Sequence, residues 1–522
     1  MYDSSPTADT DIQQASVTTR GASTIAEKYE ELSMQFRLDY EKIFSDNNSK
    51  KTIVIIPSLT IDQGILAKVN GSVYYEERML CLLMLLRMPE THVVYVTSVP
   101  VDPVIVDYYL HLLPGITGYH ARQRLTMLCC YDASSKSLTE KILDRPRLMN
   151  RIRNSIAPGS VAHISCFNTT SYERDLSVRL GLPIYGCNPD LLHYGTKSGS
   201  RKIFRECEVP FPDGFEDLQD ENDIAEAIAE LKNRNPSLQS CMVKLNDGFS
   251  GEGNSSFSFK GLDCSGNLVA KIKTQLRHSL KIVDNNLDYD GYLQKFKSMH
   301  GIVEECVEGE TRQSPSVQCR INPLGEVMVL STHDQVLGGS SGQVFIGANF
   351  PANNEYAAEI AHMGTCIAAS LRNKGVMGRF GVDFISVKQS TGWKHFAIEI
   401  NLRKGGTTHP YLLLQGLTLG KYDAESGTYH TANGEPRYYF CSDNVVNEAY
   451  RGLSSHDLID IAIHNRLQYD GSMQEGVMFH LIGALSQFGK MGTVCIGKTP
   501  ARANAIYRRM LQVLNKEVRR YS

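Results

Sequence analysis

The 522-residue sequence has no surplus of either charge, no paired cysteine motif and no apolar run long enough to cross a membrane. Each absence excludes a class of function. With 54 Lys plus Arg against 57 Asp plus Glu, the formal net charge is −3. No single-sign field therefore marks nucleic acid or an anionic membrane as a partner, although a local basic pocket for a small anion is compatible with that balance. The 13 cysteines run from Cys81 to Cys495, with one adjacent pair at Cys129–Cys130. No C-x-x-C pairs with a second one, so neither a zinc site nor a disulfide framework is indicated, and free thiols in a reducing compartment are expected. The longest apolar run, Met79 to Leu86, is broken by Arg87 and is too short for a bilayer. The N-terminal stretch MYDSSPTADTDIQQASVTTRGAST has no apolar segment of the signal-peptide kind, and a cytoplasmic location is expected. There is no G-x-G-x-x-G after the first strand, no Walker A loop, no internal repeat and no low-complexity block.

What is present fills more than one core: 42% of the residues are hydrophobic, and two or three domains are expected. Residues 1–22 read as a mobile polar tail. Ile25, Tyr29, Leu32, Phe36, Tyr40 and Ile43 then recur at helical spacing. KTIVIIPSL reads as a buried strand, YEERMLCLLMLLRM as a largely buried helix and HVVYVTSV as a second buried strand, a parallel α/β layer over 23–187. The segment 188–436 carries nearly every polar constellation, and 437–522 reads as a smaller α+β unit. In that unit GVMFHLIGAL and GTVCIG are joined through a turn near Gly489, and Thr499 caps a helix that begins at Pro500.

The strongest chemical signal is RFGVDFISV, a turn at KQSTGW, and HFAIEINLRKGGTTHP. Alternation puts Phe396, Ile398, Ile400 and Leu402 on one face and Ala397, Glu399, Asn401 and Arg403 on the other. A turn centred near Thr391 sets Asp383 opposite Glu399, since both lie eight residues from it. Two facing carboxylates repel unless a positive charge lies between them. With Asn401 they form an all-oxygen ligand set suited to Mg²⁺. The bland alternative is the solvated face of an edge hairpin, with Arg403 pairing one carboxylate.

CMVKLNDGFSGEGNSSFSF reads as a strand ending in Lys244, a loop with Gly248, Gly251 and Gly253, and a returning strand. Backbone N–H groups of such a flap can close over phosphates; an ordinary glycine-rich hairpin is the alternative. Lys197 and Lys202 precede a short helix that ends before Pro210, and either can contact a phosphate. GIVEECVEGE reads as a strand with carboxylates at its exit, where backbone groups can read an adenine and an acid can accept from its amine.

Two lysines 47 residues apart (Lys197 and Lys244), a glycine flap, an E-E-x-V-x-G hinge and D…E-I-N-x-R ending in HP resemble, in that order, the ATP-grasp superfamily. IVIIPSLTID, NPDLLHYGTKSGSRKIF, STHDQVLGG, EINLRKGGTTHP and GVMFHLIGALSQFGKMGTVCIGKTPARA are similar to the pheganomycin-type peptide ligases. The resemblance implies an ATP-grasp fold of two α+β lobes over 188–436, preceded by a parallel α/β pre-ATP-grasp domain (23–187) and followed by the small α+β unit (437–522). It implies ATP and Mg²⁺, with Lys197 and Lys244 on phosphates and the Gly251–Gly253 flap over them. Glu304, Glu305 and Val307 would meet the adenine, Asp383, Glu399 and Asn401 the metals, and Arg403 the reacting carboxylate or acyl phosphate. Lys244 and Arg403 would be the catalytic residues. Glu252 inside the flap departs from the pattern, and Glu310 is a poor match to a ribose-binding acid. His409 and the segment His333–Asp334–Gln335 are open candidates, a structural role being as fitting. The implied activity is amide formation through an acyl phosphate, from an amino-acid-like acid and an amino acid or peptide amine, in natural-product assembly. A non-peptide product and an ATP sensor that has lost ligation are the rival readings. The partners are small molecules, with a homodimer left open.

Overall fold

The computed structural model describes residues 24–44, 49–61, 66, 69–248, 253–284, 286–338 and 344–521. The expected parallel layer is a four-stranded sheet in the order Leu125–Cys129, Thr91–Thr97, Lys51–Ile56, Val161–Cys166, every pair parallel. Lys51–Ile56 is buried along its length, which is why it reads as a continuous apolar run instead of an alternating one. The helix Ile25–Phe44 lays Phe36, Tyr40 and Ile43 against Met377, so the first helix is packed onto the central part of the chain.

YEERMLCLLMLLRM lies in a helix of 3₁₀ type, Ser72–Arg87, not an α-helix. It enters from Gly71, whose φ of 71° is a left-handed conformation that glycine adopts without a Cβ penalty. Runs of 3₁₀ this long are uncommon, and their i and i+3 side chains eclipse. The helix is buried almost all round, which accounts for its lack of an amphipathic period, and it buries Glu76, Glu77 and Arg78 along with its leucines. Glu76 accepts from the Ser98 N–H (2.6 Å) and hydroxyl (2.5 Å), and Glu77 accepts from the Gly483 N–H (3.1 Å). Burial pushes these two carboxyls up to about 7 and about 8 respectively.

Two lobes follow. The first is an antiparallel five-stranded sheet, Gly214–Leu218, Gly301–Glu305, Ser240–Leu245, Asn254–Ser258, Leu280–Ile282. Helices Glu221–Arg234, Leu268–Ser279 and Tyr289–Met299 supply its core with Ile228, Ile272, Tyr292 and Phe296. The second lobe is a nine-stranded sheet built on Gly378–Gln389, Pro315–Ile321, Val327–Gly338 and Val344–Phe350. Among the described residues, 437–521 do not make a sheet of their own: Tyr438–Val446, Lys490–Gly497 and Gly476–His480 extend this one. Gly489, at φ 58°, makes the turn into Lys490–Gly497, and Thr499 Oγ accepts from the Arg502 N–H at the start of helix Pro500–Tyr521. One continuous core joins Ile53, Tyr95 and the 3₁₀ helix to Tyr439, Phe479 and Val494. That packing holds the 3₁₀ helix against the second lobe. No helix among the described residues is long and apolar enough to cross a membrane.

Candidate active site

The hairpin Gly378–Gln389 and Gly392–Asn401 pairs Asp383 with Glu399. The turn is tighter than a centre at Thr391 requires: Gln389 pairs Gly392, and the simple register continues to Phe384 opposite Ala397. A bulge between Asp383 and Phe384 then inserts Ile398 and restores the carboxylate pairing. The bulge corrects the strict alternation expected for this strand. Ala397, Ile400 and Leu402 lie in the core, while Ile398 joins Glu399, Asn401 and Arg403 in lining a cleft.

Asp383 accepts hydrogen bonds from Gln335 Nε2 (2.8 Å) and Asn401 Nδ2 (2.9 Å), which leaves the Asn401 amide oxygen as the acceptor of that side chain. Burial, then the facing Glu399, pushes the Asp383 carboxyl up to about 7. Glu399 is held below the usual value: burial raises it, but Lys197, Arg403 and Lys244 outweigh that. The pair thus takes up a positive charge more readily than an isolated carboxylate. Three oxygen-bearing side chains on one wall suit a hard divalent cation.

Lys197 begins helix Lys197–Glu206 behind its Thr196 cap and places Nζ 3.1 Å from Glu399. Lys244, near the end of its strand, donates to Glu304 at 2.5 Å. The other Glu304 oxygen accepts from Arg201 at 3.3 Å, a guanidinium buried against Phe211. Lys202 instead faces solvent and pairs with Asp217. Lys197, Lys244, Gly253, Glu304, Glu305, Val307, Asp383, Glu399, Asn401 and Arg403 all line one cleft of about 540 Å³ between the lobes. Gly251 and Glu252 lie outside the described residues. Glu310 is exposed and does not line the cleft.

The segment around His333 divides. Gln335 reaches the hairpin, whereas His333 is fully buried with Nε2 2.7 Å from the Tyr439 hydroxyl, and Asp334 accepts from the Tyr356 hydroxyl and the Asn353 N–H. Asp334 faces the opposite side of the sheet from Gln335, as successive strand residues do, whereas His333 shares Gln335's side but is held in the core against Tyr439 and Phe350. His409 is buried in the first turn of Thr408–Thr418. Its Nε2 is 3.0 Å from His480 Nε2, and both ring nitrogens touch Asp443 Oδ1, at 3.1 and 2.8 Å. Asp443 also lines the cleft, with Tyr75, Arg78, Phe167, Asn444 and Lys490. Reading the sequence in order misses this second group. Its sole local signals are charges in apolar surroundings: E-E-R ahead of the Met79–Leu86 run, and Asp443 within a strand.

Comparisons with known proteins bear on the fold that carries this site. A family model described as "IQCH-like, ATP-grasp" matches residues 191–287 and 271–425, and one described as "PGM1 C-terminal domain" matches 457–510. The chain is 29% identical over 489 residues to L-propargylglycine–L-glutamate ligase of Streptantibioticus cattleyicolor, covering 92% of this chain and 97% of that protein. It is 22% identical over 382 residues to IQ motif-containing protein H of Danio rerio, 65% of this chain but 36% of that longer protein. Among solved structures, a biotin carboxylase β,γ-ATP complex from Campylobacter jejuni superposes with a TM-score of 0.53 at 12% identity, covering 88% of this chain and 90% of that one. The ADP complex of an N5-carboxyaminoimidazole ribonucleotide synthetase gives 0.50 at 13%, covering 90% and 97%. At such identities the likeness is one of fold.

Proposed function

We infer that this chain, an ATP-grasp protein resembling the pheganomycin-type peptide ligases, is an ATP-dependent carboxylate–amine ligase working through an acyl phosphate. One observation carries the reading: the register-paired Asp383 and Glu399 share a cleft with Lys197, Lys244 and Arg403. Likeness to a curated ligase along nearly the whole chain supports it. The acid is amino-acid-like, the amine that of an amino acid or peptide, and the setting natural-product assembly. The proposed division is a pre-ATP-grasp domain (23–187), the ATP-grasp lobes (188–436) and a substrate-facing C-terminal segment (437–522) that shares the second lobe's sheet. Thirteen free thiols and a need for ATP fit the cytoplasm.

In this reading the nucleotide lies between the lobes. Glu305 and Val307 read the base through backbone groups, and Glu304 sits near its amine. Lys197 and Lys244 exchange their carboxylate partners for phosphate oxygens, and Gly251 and Gly253 are further phosphate-binding residues in this reading. Asp383, Glu399 and Asn401 hold Mg²⁺, which when bound supplies charge neutralisation at the phosphates. Arg403 holds the acid by a two-pronged contact that lysine does not reproduce. The acid's oxygen attacks the γ-phosphorus, the bond to ADP breaks, and an acyl phosphate results. The neutral amine then forms the C–N bond as the acyl carbon's bond to the phosphate oxygen breaks, and the proton it gives up passes to the departing phosphate. Little covalent chemistry falls to the chain; its side chains position the reactants and balance charge.

The direct test offers a panel of acids against a panel of amines, reads phosphate release and confirms products by mass. Acid labelled with ¹⁸O is expected to pass label into the released phosphate, and unlabelled phosphate excludes the acyl phosphate. ATP binding with no acid-dependent ADP release would identify a sensor.

A further inference from the structure

The end of the cleft lined by Tyr75, Arg78, Phe167, Asp443 and Lys490 contains none of the residues assigned above to the nucleotide. Arg78 and Tyr75 are three residues apart on the 3₁₀ helix, where i and i+3 side chains eclipse. The guanidinium therefore lies over the Tyr75 ring at 4.5 Å, and it meets Phe167 at 4.6 Å. Lys490 fixes Tyr75 by donating to its hydroxyl at 2.8 Å. With rings on two sides, only the in-plane N–H groups of Arg78 remain for polar partners. Among the described residues these reach the Tyr75 carbonyl and Asp443 Oδ2, each at a long 3.4 Å. Arg78, 7% exposed, thus lines the cleft with most of its N–H donors unpaired among the described residues.

Asp443 is fixed from behind, where the ring nitrogens of His409 and His480 converge on Oδ1. The three ligand atoms lie within 4.8 Å of one another, a spacing compatible with a metal ion. A divalent ion there would join Arg78 around one buried carboxylate, leaving a buried excess of positive charge. The histidines are better read as a brace that aims Asp443 beside Arg78.

Ligation consumes one carboxylate, and Arg403 stands beside the Asp383–Glu399 pair to hold it. A second buried arginine with open N–H groups in the same cleft calls for a carboxylate that survives the reaction. The donor acid has spent its own; an acceptor amino acid has kept one. We propose that Arg78 and Asp443 form the acceptor subsite and select an α-amino acid with a free carboxylate, Arg78 taking that carboxylate and Asp443 the ammonium. The two charges of such a zwitterion sit on one Cα and match, in opposite sense, the adjacent charges of the Arg78–Asp443 pair. A simple amine or polyamine brings only a cation towards Arg78 and Lys490. This inference rests on the ligase reading.

The test uses the full-length protein, ATP, Mg²⁺ and the proteinogenic L-amino acids as acids. Hydroxylamine first traps acyl phosphate as a hydroxamate, which needs no acceptor subsite. No hydroxamate with any acid sinks the ligase reading, and the subsite with it. With the acid so found, each L-amino acid and its α-carboxamide are compared as acceptors. Wild type is expected to prefer the free amino acid by about 100-fold or more in kcat/KM, since a site built to bond a carboxylate rejects an analogue lacking it. An equally good carboxamide overturns the proposal with no variant needed. Arg78→Ala is expected to bring acid and carboxamide within about threefold of each other, and Asp443→Asn to raise the acceptor KM by about tenfold or more. In both, hydroxamate formation should fall far less than amide formation. Loss of both in parallel, or a preference that survives Arg78→Ala, overturns it.

Discussion

The two ends of the cleft manage charge differently. At the hairpin end, cations and carboxylates interleave: Lys197 lies on Glu399, while Lys244 and Arg201 share Glu304. Asp383 is under-compensated there: burial and the facing Glu399 push its carboxyl up to about 7. At the other end a single carboxylate, Asp443, faces Arg78 with Lys490 nearby, so positive charge is in excess. One end is disposed to take up a cation, the other an anion. Interleaved pairs can exchange partners when a polyanion and its counter-ion enter together, whereas a braced pair of opposite charges selects a ligand of fixed charge geometry.

This contrast can be broken at several points. The largest expected effect is at the hairpin: Glu399→Gln should lower amide and hydroxamate formation together by about 10³-fold or more, with circular dichroism unchanged. Wild-type turnover in that variant at saturating Mg²⁺ would end the metal assignment. Arg403→Lys keeps the charge and loses the planar fork, so both rates should drop about 100-fold, a loss that extra acid does not rescue. His480→Phe removes half the brace behind Asp443 and acts as a positioning change. It should raise the acceptor KM about tenfold while the KM for ATP stays within about twofold. Equal shifts in both constants would mean that the two ends are not separable.

The smallest effect concerns stability. Glu77 lies behind the second end, its carboxylate bonded to the Gly483 N–H just past His480, and burial raises its pKa to about 8. The folded state therefore keeps a proton that the unfolded chain releases near the ordinary value of 4.5. Between those values the folded state binds more protons, so this group's contribution falls as pH rises through 4.5 towards about 8. Glu77→Gln mimics the neutral acid and should raise the melting temperature more at pH 8.5 than at pH 6. An equal gain at both pH values would show that burial does not hold this proton.

Much of the first end is legible in the sequence because it is local. The Asp383–Glu399 pairing follows from a short turn and antiparallel register, although the bulge at Ile398 that secures it carries no signal beyond the strand's own residues. The lysine spacing likewise points to Lys197, and the structure turns Lys202 to solvent. Elsewhere, period alone falls short. The buried run after Tyr75 announces a helix without saying that it is 3₁₀, because a helix apolar on all sides has no amphipathic period to measure. Strand signals at 476–480 and 490–497 are plain, yet which sheet they join depends on edges formed far away in the chain.

The sequence by itself determined the hairpin carboxylates, the order of the segments that line the cleft and the buried strands of the first layer. In each, hydrogen-bond register and side-chain alternation act over a few residues and leave a pattern. Only the tertiary structure decided the second end of the cleft. Arg78 and Asp443 are 365 positions apart, and His409 and His480 are 71 apart. They meet because one hydrophobic core packs the 3₁₀ helix, Thr408–Thr418 and the extended sheet together. Apolar burial is non-directional, so it brings distant segments into contact without writing their partners into any local stretch of sequence.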